Sequence, residues 1–241
     1  MTRVLLLGGT SEARALAARL HPQADIVSSL AGRVPDPALP VGPVRIGGFG
    51  GTAGLARWLA DNDIGAVVDA THPFAATITA NAAAACRETG VPHLVLARPA
   101  WSPGAAIVVD SDVQAARVVA DRGFSRVFLT TGRSGAAAFV DVDAWFLIRA
   151  VTPPDDHDLP RRHELLLSRG PYRLAGEREL LATNRIDALV TKNSGGDMTH
   201  AKLDAARELG VAVVMVDRPA LPVGVHAVPT VDEAVDWVSS R

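Results

Sequence analysis

Residues 64–99, IGAVVDATHPFAATITANAAAACRETGVPHLVLARP, and residues 186–219, IDALVTKNSGGDMTHAKLDAARELGVAVVMVDRP, carry one pattern twice. Each stretch reads as an apolar strand, a short polar turn, an Ala-rich helix, Gly-Val, a second apolar strand and Arg-Pro. The stretches align once two residues are skipped in the second copy. A repeated αβ unit predicts two similar lobes, and we expect a ligand-binding cleft between them.

The repeat extends outward, because residues 4–10, VLLLGGT, have a counterpart in residues 127–133, VFLTTGR. Apolar runs without alternation are typical of parallel strands that are covered on both faces. In the first half we predict strands near 3–7, 24–28, 43–46, 65–69, 93–97 and 105–109, and helices near 11–20, 52–61, 75–89 and 112–121. In the second half we predict strands near 125–130, 144–149, 163–168, 187–191, 212–216 and 225–228, and helices near 133–139, 176–184, 199–209 and 230–239. This order predicts an α/β fold of two Rossmann-like, doubly wound lobes with parallel sheets.

The lobe boundary is predicted near Gly123, which gives lobes of residues 1–123 and 124–241. The last strand of each half, 105–109 or 225–228, either stays in its own lobe or is exchanged with the other lobe. The sequence leaves both arrangements open.

Composition excludes several classes of function. Hydrophobic residues make up 48% of the 241 residues and charged residues 21%, as in a compact globular chain. A net charge of -2 argues against a nucleic-acid partner. The early apolar run, Val4 to Leu7, is too short for a signal peptide or a membrane span, so we expect a cytoplasmic protein with no membrane partner.

The first strand runs directly into a glycine turn and a helix, as in a dinucleotide-binding site. The GxGxxG spacing is broken, because Thr10 and Ala13 stand where the second and third glycines are expected. A turn that only joins strand and helix is the alternative. The place of the turn at the start of a βαβ unit favours a cofactor site on the N–H groups at the helix N-terminus. The predicted contacts are Gly8, Gly9, Thr10, Ser11 and Glu12.

The end of the second strand distinguishes between cofactors. NAD sites place an acid there for the ribose 2′-hydroxyl, whereas this chain has Ser28, Ser29 and then Arg33. Hydroxyls and a guanidinium suit a 2′-phosphate, so we predict NADPH rather than NADH. A solvated Arg33 is the alternative.

Two more turns follow strands of the first lobe. The turn with Gly47, Gly48 and Gly50 allows close backbone approach of a flat ring or phosphate. The turn with Thr71 and His72 precedes a helix that Thr71 is expected to cap, and His72 is either structural or a ligand contact. We include both turns in the predicted cofactor site.

In the second lobe, a turn rich in amides, hydroxyls and lysines precedes a helix and predicts an anion cradle. Arginines at neighbouring strand ends are expected to add positive charge to this rim, among them Arg169. The predicted substrate contacts are Lys192, Asn193, Ser194, Gly195, Gly196, Thr199, Lys202, Arg133 and Arg149.

Patterns for metal and nucleophilic chemistry are missing from the sequence. It has no HxxxH, HExxH or CxxC spacing and no GxSxG elbow, and Cys86 in its Ala-rich run is predicted to pack in the core. The acidic stretch 152–160 is interpreted as a solvated loop, with a metal site as the alternative. We therefore predict no metal and name no catalytic residue. Hydride transfer fits this pattern, because the cofactor and the substrate carry most of its chemistry.

Seven motifs in one order, covering nearly the full length, resemble the precorrin-6A reductase family. They are GGTSEAR at 8–14, SSLAGR at 28–33, GGFGG at 47–51, DATHPFA at 69–75, RPAW at 98–101, RGPY at 169–172 and KNSGG at 192–196. The resemblance implies an NADPH-dependent reductase of cobalamin biosynthesis, which delivers hydride to one carbon–carbon double bond of a ring-contracted tetrapyrrole to give a dihydro product. It also implies that the first lobe binds NADPH and the second binds the macrocycle.

The resemblance further implies a tetrapyrrole as the small-molecule partner and leaves neighbouring enzymes of the pathway open as protein partners. We expect a monomer, because the two lobes already pair within one chain. Two other classes remain compatible with the fold, since doubly wound sheets host many chemistries. One is a non-catalytic tetrapyrrole or nucleotide carrier, and the other is a nucleotide-sugar or methyl transferase.

Replacing Arg33 by Gln tests the predicted cofactor. Removing this charge is expected to weaken NADPH binding far more than NADH binding, because only NADPH carries the 2′-phosphate. Titration calorimetry with both nucleotides measures the two affinities. Equal losses for NADPH and NADH would contradict the assignment of Arg33 to the 2′-phosphate.

Overall fold

The computed structural model describes residues 2–32 and 37–241. The chain forms two compact units, which we call unit 1 and unit 2. Unit 1 comprises Met1–Pro99 together with Pro219–Arg241, and unit 2 comprises Ala100–Arg218. No helix among the described residues is long and apolar enough to span a membrane.

Unit 1 is a parallel six-stranded sheet covered on both faces. Its strands are β1 (Arg3–Leu7), β2 (Ile26–Leu30), β3 (Val44–Ile46), β4 (Ile64–Asp69), β5 (His93–Leu96) and β12 (His226–Val228), in the order β12-β5-β4-β1-β2-β3. Its helices are α1 (Ser11–Leu20), α2 (Gly51–Asp61), α3 (Ala76–Thr89) and α7 (Val231–Ser239). The helices α1 and α7 pack on one face and α2 and α3 on the other.

Unit 2 repeats this architecture. Its strands are β6 (Ile107–Val109), β7 (Arg126–Thr130), β8 (Trp145–Ala150), β9 (His163–Leu167), β10 (Ala188–Lys192) and β11 (Ala212–Val216), in the parallel order β6-β11-β10-β7-β8-β9. Its helices are α4 (Asp112–Asp121), α5 (Leu174–Thr183) and α6 (Ala201–Leu209). Short 3-10 helices cover Arg133–Phe139, Asp156–Asp158 and Asp197–Thr199.

The central strands are buried on both faces, which explains their unbroken apolar runs. Val4, Leu5, Leu6 and Leu7 alternate between the two helical layers, and each is at most 2% exposed. Burial of both faces requires an apolar residue at every position rather than at every second one. The predicted parallel, doubly wound fold is confirmed, and each predicted element lies within a few residues of its observed position.

The division of the chain differs from the predicted lobes 1–123 and 124–241. Strand β6 pairs with β11 in unit 2, and β12 pairs with β5 in unit 1, so the last strand of each half is exchanged. The helices α4 and α7 that follow these strands go with them. The repeat could not reveal this exchange, because β5 and β11 offer equivalent apolar edges to a strand of three residues.

Two core truncations test the exchange. Trp237 in α7 packs in the core of unit 1, whereas Val119 in α4 is fully buried in unit 2. Trp237→Ala is expected to cost about 3 kcal/mol and Val119→Ala roughly 2 kcal/mol of unfolding free energy. Amide hydrogen exchange should show lost protection mainly in β1, β4 and β5 for the first variant, and in β10 and β11 for the second. The reverse distribution would contradict the exchange.

Candidate functional site

The glycine turn of unit 1 is fixed by the Thr10 side chain. Its hydroxyl accepts a hydrogen bond from the Ala13 N–H at 3.0 Å, which caps α1, and donates to the Ala70 carbonyl at 2.7 Å. The Gly8 N–H donates to the Ser29 carbonyl at 3.0 Å, and Gly9 has a left-handed φ of 115°. The turn is therefore tied to the carboxyl ends of both neighbouring strands, and the hydroxyl predicted for the cofactor is already engaged in the fold.

Glu12 lies in the first turn of α1 beside Ser11 and Arg98. Its Oε2 accepts hydrogen bonds from Arg98 Nη1 at 2.8 Å and from Ser11 Oγ at 3.0 Å. Burial raises the pKa of the Glu12 carboxyl, but its own backbone N–H, Arg98 and Ser11 together lower it below its ordinary value. Glu12 is therefore ionised at neutral pH, and Arg98 offsets its charge at the edge where the cofactor is predicted.

The end of β2 differs from the prediction. The strand continues to Leu30 rather than ending at residue 28, so Ser28 and Ser29 lie inside it and are buried. The Ser28 hydroxyl has no hydrogen-bond partner among the described residues, whereas Ser29 Oγ accepts a bond from Arg45 Nη1 at 2.9 Å. The predicted contact Arg33 lies outside the described residues.

The loop between β3 and α2 presents open backbone. A Cβ atom added at Gly47, Gly48 or Gly50 would meet nothing within 4 Å. Gly47 and Gly50 have φ values of 121° and 81°, which favour glycine. A planar group can therefore approach this loop closely, as the sequence predicts.

Thr71 does not cap α3, which corrects the prediction. Its backbone N–H and its hydroxyl both donate to Asp69 Oδ1, at 2.9 and 2.6 Å, and α3 begins at Ala76 without a side-chain cap. The buried carboxylate of Asp69 attracts the hydroxyl more strongly than a helix end five residues away. His72 is exposed, and its Nδ1 accepts a hydrogen bond from the Phe74 N–H at 3.2 Å.

In unit 2, Asn193 joins the turn after β10 to Trp101. Its amide accepts from the Trp101 N–H at 2.9 Å and donates to the Trp101 carbonyl at 3.2 Å. The indole N–H of Trp101 donates to the Gly196 carbonyl at 3.0 Å. The side chain of Asn193, predicted as a substrate contact, is therefore engaged in holding the Gly195-Gly196 turn in place.

Lys202 is buried beneath the same turn. Its ammonium donates to the Thr199 carbonyl at 3.1 Å and lies 4.9 Å from the centre of the Trp101 ring. Burial, with a smaller contribution from Arg149, lowers the pKa of Lys202 to about 7, although Glu177 opposes the shift. A proton on Lys202 is thus easily lost or regained near neutral pH.

Arg149 was predicted as a cation of the rim, but the structure pairs it in the interior. Its Nη1 and Nη2 donate to both carboxylate oxygens of Glu177, at 3.0 and 2.6 Å, and its guanidinium stacks 3.9 Å from the centre of the Tyr172 ring. Both partners are less than 10% exposed. A buried arginine needs a carboxylate partner to offset the loss of hydration of its charge. The sequence did not indicate Glu177 as this partner, because a single acidic residue on a helix is usually exposed to solvent.

The carboxyl edge of the unit 2 sheet is cationic. Five adjacent strands, β11, β10, β7, β8 and β9, each have a basic residue within three positions of their carboxyl end. These residues are Arg218, Lys192, Arg133, Arg149 and Arg169. Parallel strands bring their carboxyl ends to one edge, so these residues share it. Arg133 and Arg169 are exposed, whereas Lys192 donates to the Thr131 carbonyl at 2.8 Å and lies 3.5 Å from Asp112.

The chain matches the family model described as Precorrin-6x reductase CbiJ/CobK over residues 3–239. It belongs to the precorrin-6x reductase family. A member of this family, the precorrin-6A reductase of Mycobacterium tuberculosis (strain CDC 1551 / Oshkosh), is 68% identical over 239 residues, covering 99% of this chain and 98% of that protein. The precorrin-6A reductase of Rhodococcus erythropolis is 55% identical over 250 residues, covering 100% and 98%.

The chain is also similar to cobalt-precorrin-6A reductases and to a solved structure. The cobalt-precorrin-6A reductase of Priestia megaterium is 27% identical to this chain over 237 residues, and the alignment covers 92% of both proteins. A solved structure of CobK precorrin-6A reductase has a TM-score of 0.90 and 39% identity, covering 100% of this chain and 97% of the other. The architecture of both units is therefore that of the precorrin-6x reductase family.

Sequence reasoning gave no role to Trp101, Arg98 or Arg45, although all three hold the turns of the site. A signal existed for Arg98, because the repeated Arg-Pro pair places it and Arg218 at equivalent strand ends. Arg218 Nε donates to the Asn193 carbonyl at 2.7 Å. In each unit, the arginine of the repeated Arg-Pro pair therefore holds a residue at the carboxyl edge of the sheet. Arg98 holds Glu12 in unit 1, and Arg218 holds Asn193 in unit 2.

Two other groups lie outside these edges. Cys86 is buried as predicted, and burial together with the Asp69 charge raises the pKa of its thiol to about 12, so it stays protonated at neutral pH. In the acidic loop, one ligand atom each of Asp155, His157 and Asp158 lies within 4.8 Å of the others. His157 and Asp155 are exposed, as in the solvated loop that the sequence predicts.

Lys202→Met tests the electrostatics of this interior. The unfolded chain holds the lysine proton up to its ordinary pKa of 10.5, whereas the folded chain releases it near 7, so wild-type stability rises with pH between these values. A methionine at position 202 has no charge to bury, so it adds no pH-dependent term to the free energy of unfolding. The variant should be more stable at pH 7 by on the order of 3 kcal/mol, and its advantage should shrink by about 1.4 kcal/mol per pH unit.

Urea denaturation at several pH values between these limits measures the difference. Lys202→Arg is the matched control, because a guanidinium cannot escape burial by losing its proton, and it should be destabilising throughout the range. Parallel stability curves for Lys202→Met and wild type would contradict the lowered pKa.

Proposed function

We propose that this protein is an NADPH-dependent reductase of cobalamin biosynthesis that acts on precorrin-6A. When bound, NADPH would supply the hydride for one carbon of a carbon–carbon double bond in the macrocycle, and a proton would be added to the other carbon. The products are NADP⁺ and the dihydro macrocycle. The observation that carries the proposal is membership of the precorrin-6x reductase family along residues 3–239. The carboxyl edges of the two sheets support a different ligand for each unit.

Unit 1 is the proposed cofactor unit. Its β1–α1 turn leads from Gly8 and Gly9 to the N-terminus of α1, where a pyrophosphate finds N–H donors. Its second glycine loop, Gly47 to Gly51, has open space above the backbone. This arrangement suits an extended dinucleotide that crosses β1, β2 and β3 at their carboxyl ends.

Unit 2 is the proposed macrocycle unit. A tetrapyrrole with acetate and propionate side chains needs several donors at one edge, and the exposed Arg133 and Arg169 lie at this edge together with Lys192. Both lysines of the chain, Lys192 and Lys202, lie in the single segment around the turn after β10. A carboxylate near Lys202 would raise its lowered pKa, so binding of the acidic macrocycle favours its protonated form.

The cobalt-free macrocycle is the proposed substrate. Relatives described as precorrin-6A reductases include proteins 40% to 68% identical to this chain and a solved structure at 39%, whereas the cobalt-precorrin-6A reductases of Priestia megaterium and Methanothermobacter thermautotrophicus are 27% and 30% identical. The chain therefore lies with the first group. In this reaction its residues bind and orient the two ligands, since hydride transfer requires no protein nucleophile.

Anaerobic mixing of the protein, NADPH and precorrin-6A tests the proposal. Absorbance of the reduced nicotinamide should fall only when all three are present, with one NADPH consumed for each macrocycle. Tight binding without NADPH oxidation would identify a carrier instead. Transfer of a methyl or sugar group without oxidation would identify a transferase.

Arg133→Met and Arg169→Met test the role of the unit 2 edge. Each loss of charge should raise the KM for the macrocycle roughly two- to fivefold and leave the KM for NADPH unchanged, because exposed charges contribute modestly to binding. Arg161→Met is the control, since this exposed arginine precedes β9 at the opposite edge. An equal effect of all three substitutions would contradict a specific cationic edge.

A further inference from the structure

Arg45 is a half-buried cation on a short strand of unit 1. It lies in the middle of β3, directly opposite Ser29 of β2, and no carboxylate among the described residues comes within ion-pair distance of it. Burial lowers the pKa of its guanidinium. A charge that is partly withdrawn from water and is not neutralised by any described carboxylate favours binding of an anion.

The guanidinium of Arg45 is held rigidly at this place. Nη1 donates to Ser29 Oγ at 2.9 Å and to the Gly47 carbonyl at 2.8 Å, and Nη2 donates to the Gly48 carbonyl at 3.0 Å. Its Cζ atom lies 3.8 Å from the centre of the Phe49 ring, and that ring packs edge-on against Trp58 with centroids 5.4 Å apart. These contacts fix the guanidinium before any ligand arrives, which reduces the entropy lost on binding.

Donor capacity remains on the same group. A guanidinium carries five N–H groups in a planar fork, and the three bonds above leave the Nε–H and one N–H of Nη2 without a partner in the described part of the chain. Nε and Nη2 form one side of the guanidinium, a side through which arginine can bind a phosphate by two parallel hydrogen bonds.

The location specifies which phosphate. In doubly wound cofactor sites the ribose 2′-substituent lies at the carboxyl end of the second strand, about 20 residues after the glycine turn. Ser29, to which Arg45 is bonded, occupies that position. We propose that Arg45 binds the 2′-phosphate and thereby favours NADPH over NADH, in addition to the contact predicted for Arg33. This inference rests on the cofactor unit of the proposed function and adds a residue that sequence reasoning did not identify.

Affinity for cofactor fragments tests the role of Arg45 without the macrocycle. Titration calorimetry compares 2′,5′-ADP, which carries the phosphate, with 5′-AMP, which lacks it. The wild type should prefer 2′,5′-ADP, and Arg45→Met should reduce that preference roughly 10- to 100-fold while leaving 5′-AMP binding nearly unchanged. Arg45→Lys keeps a charge but loses the fork and should give an intermediate loss.

Arg57→Met is the matched control, because this exposed arginine on the neighbouring helix α2 carries the same charge, and it should keep the wild-type preference. Equal loss of both fragments in Arg45→Met would show that Arg45 only holds the loop and would overturn the proposal. An unchanged preference in Arg45→Met would overturn it as well.

Steady-state kinetics with NADPH and with NADH distinguish a failure of the Arg45 proposal from a failure of the proposed function. If the wild type oxidises NADPH with precorrin-6A and Arg45→Met keeps the wild-type NADPH to NADH ratio of kcat/KM, only the role of Arg45 is overturned. If the wild type uses NADH as well as NADPH, the choice of cofactor is wrong and the role of Arg45 falls with it. A drop in that ratio for Arg45→Met, but not for Arg57→Met, supports both.

Discussion

Parallel pairing of the strands is the constraint on which the rest of this molecule depends. Every ladder in the described part of both sheets is parallel, so in each unit the strands end at one edge. The helices that connect the strands bury both faces, and the edge at the carboxyl ends is left for turns. Glycine turns in unit 1 and basic turns in unit 2 are therefore gathered by backbone geometry alone.

The two edges share a frame but differ in chemistry. In unit 1 the turns are built from glycines and are braced by hydroxyl and guanidinium groups, as where Thr10 joins α1 to the end of β4. In unit 2 the corresponding turns carry charge, and part of that charge is placed in the interior as the Arg149–Glu177 pair beside Lys202. Such buried charges cost stability and are retained where a site needs them.

Much of the candidate site was predictable because its turns follow strands that are themselves predictable. The glycines at 8, 9, 47, 48 and 50 and the basic residues after β7, β9 and β10 lie at the carboxyl edges, as expected. What could not be predicted was the use of each side chain. Asn193 bonds to Trp101 and Arg149 to Glu177, and each partner lies on another element or turn. Such pairings depend on distances that a local pattern does not contain.

By itself, the sequence determined the helices and strands, the parallel direction of the strands and the duplication. These follow from hydrophobic runs, glycine turns and local periodicity. Only the tertiary structure decided which sheet receives β6 and β12, since two equivalent edges compete for each three-residue strand. It also decided which polar groups are hydrogen-bonded within the protein and which keep donors or acceptors for ligands. Arg45 shows the difference: in the sequence it is one arginine in a short apolar run, and in the structure it is a fixed, partly buried charge beside Ser29.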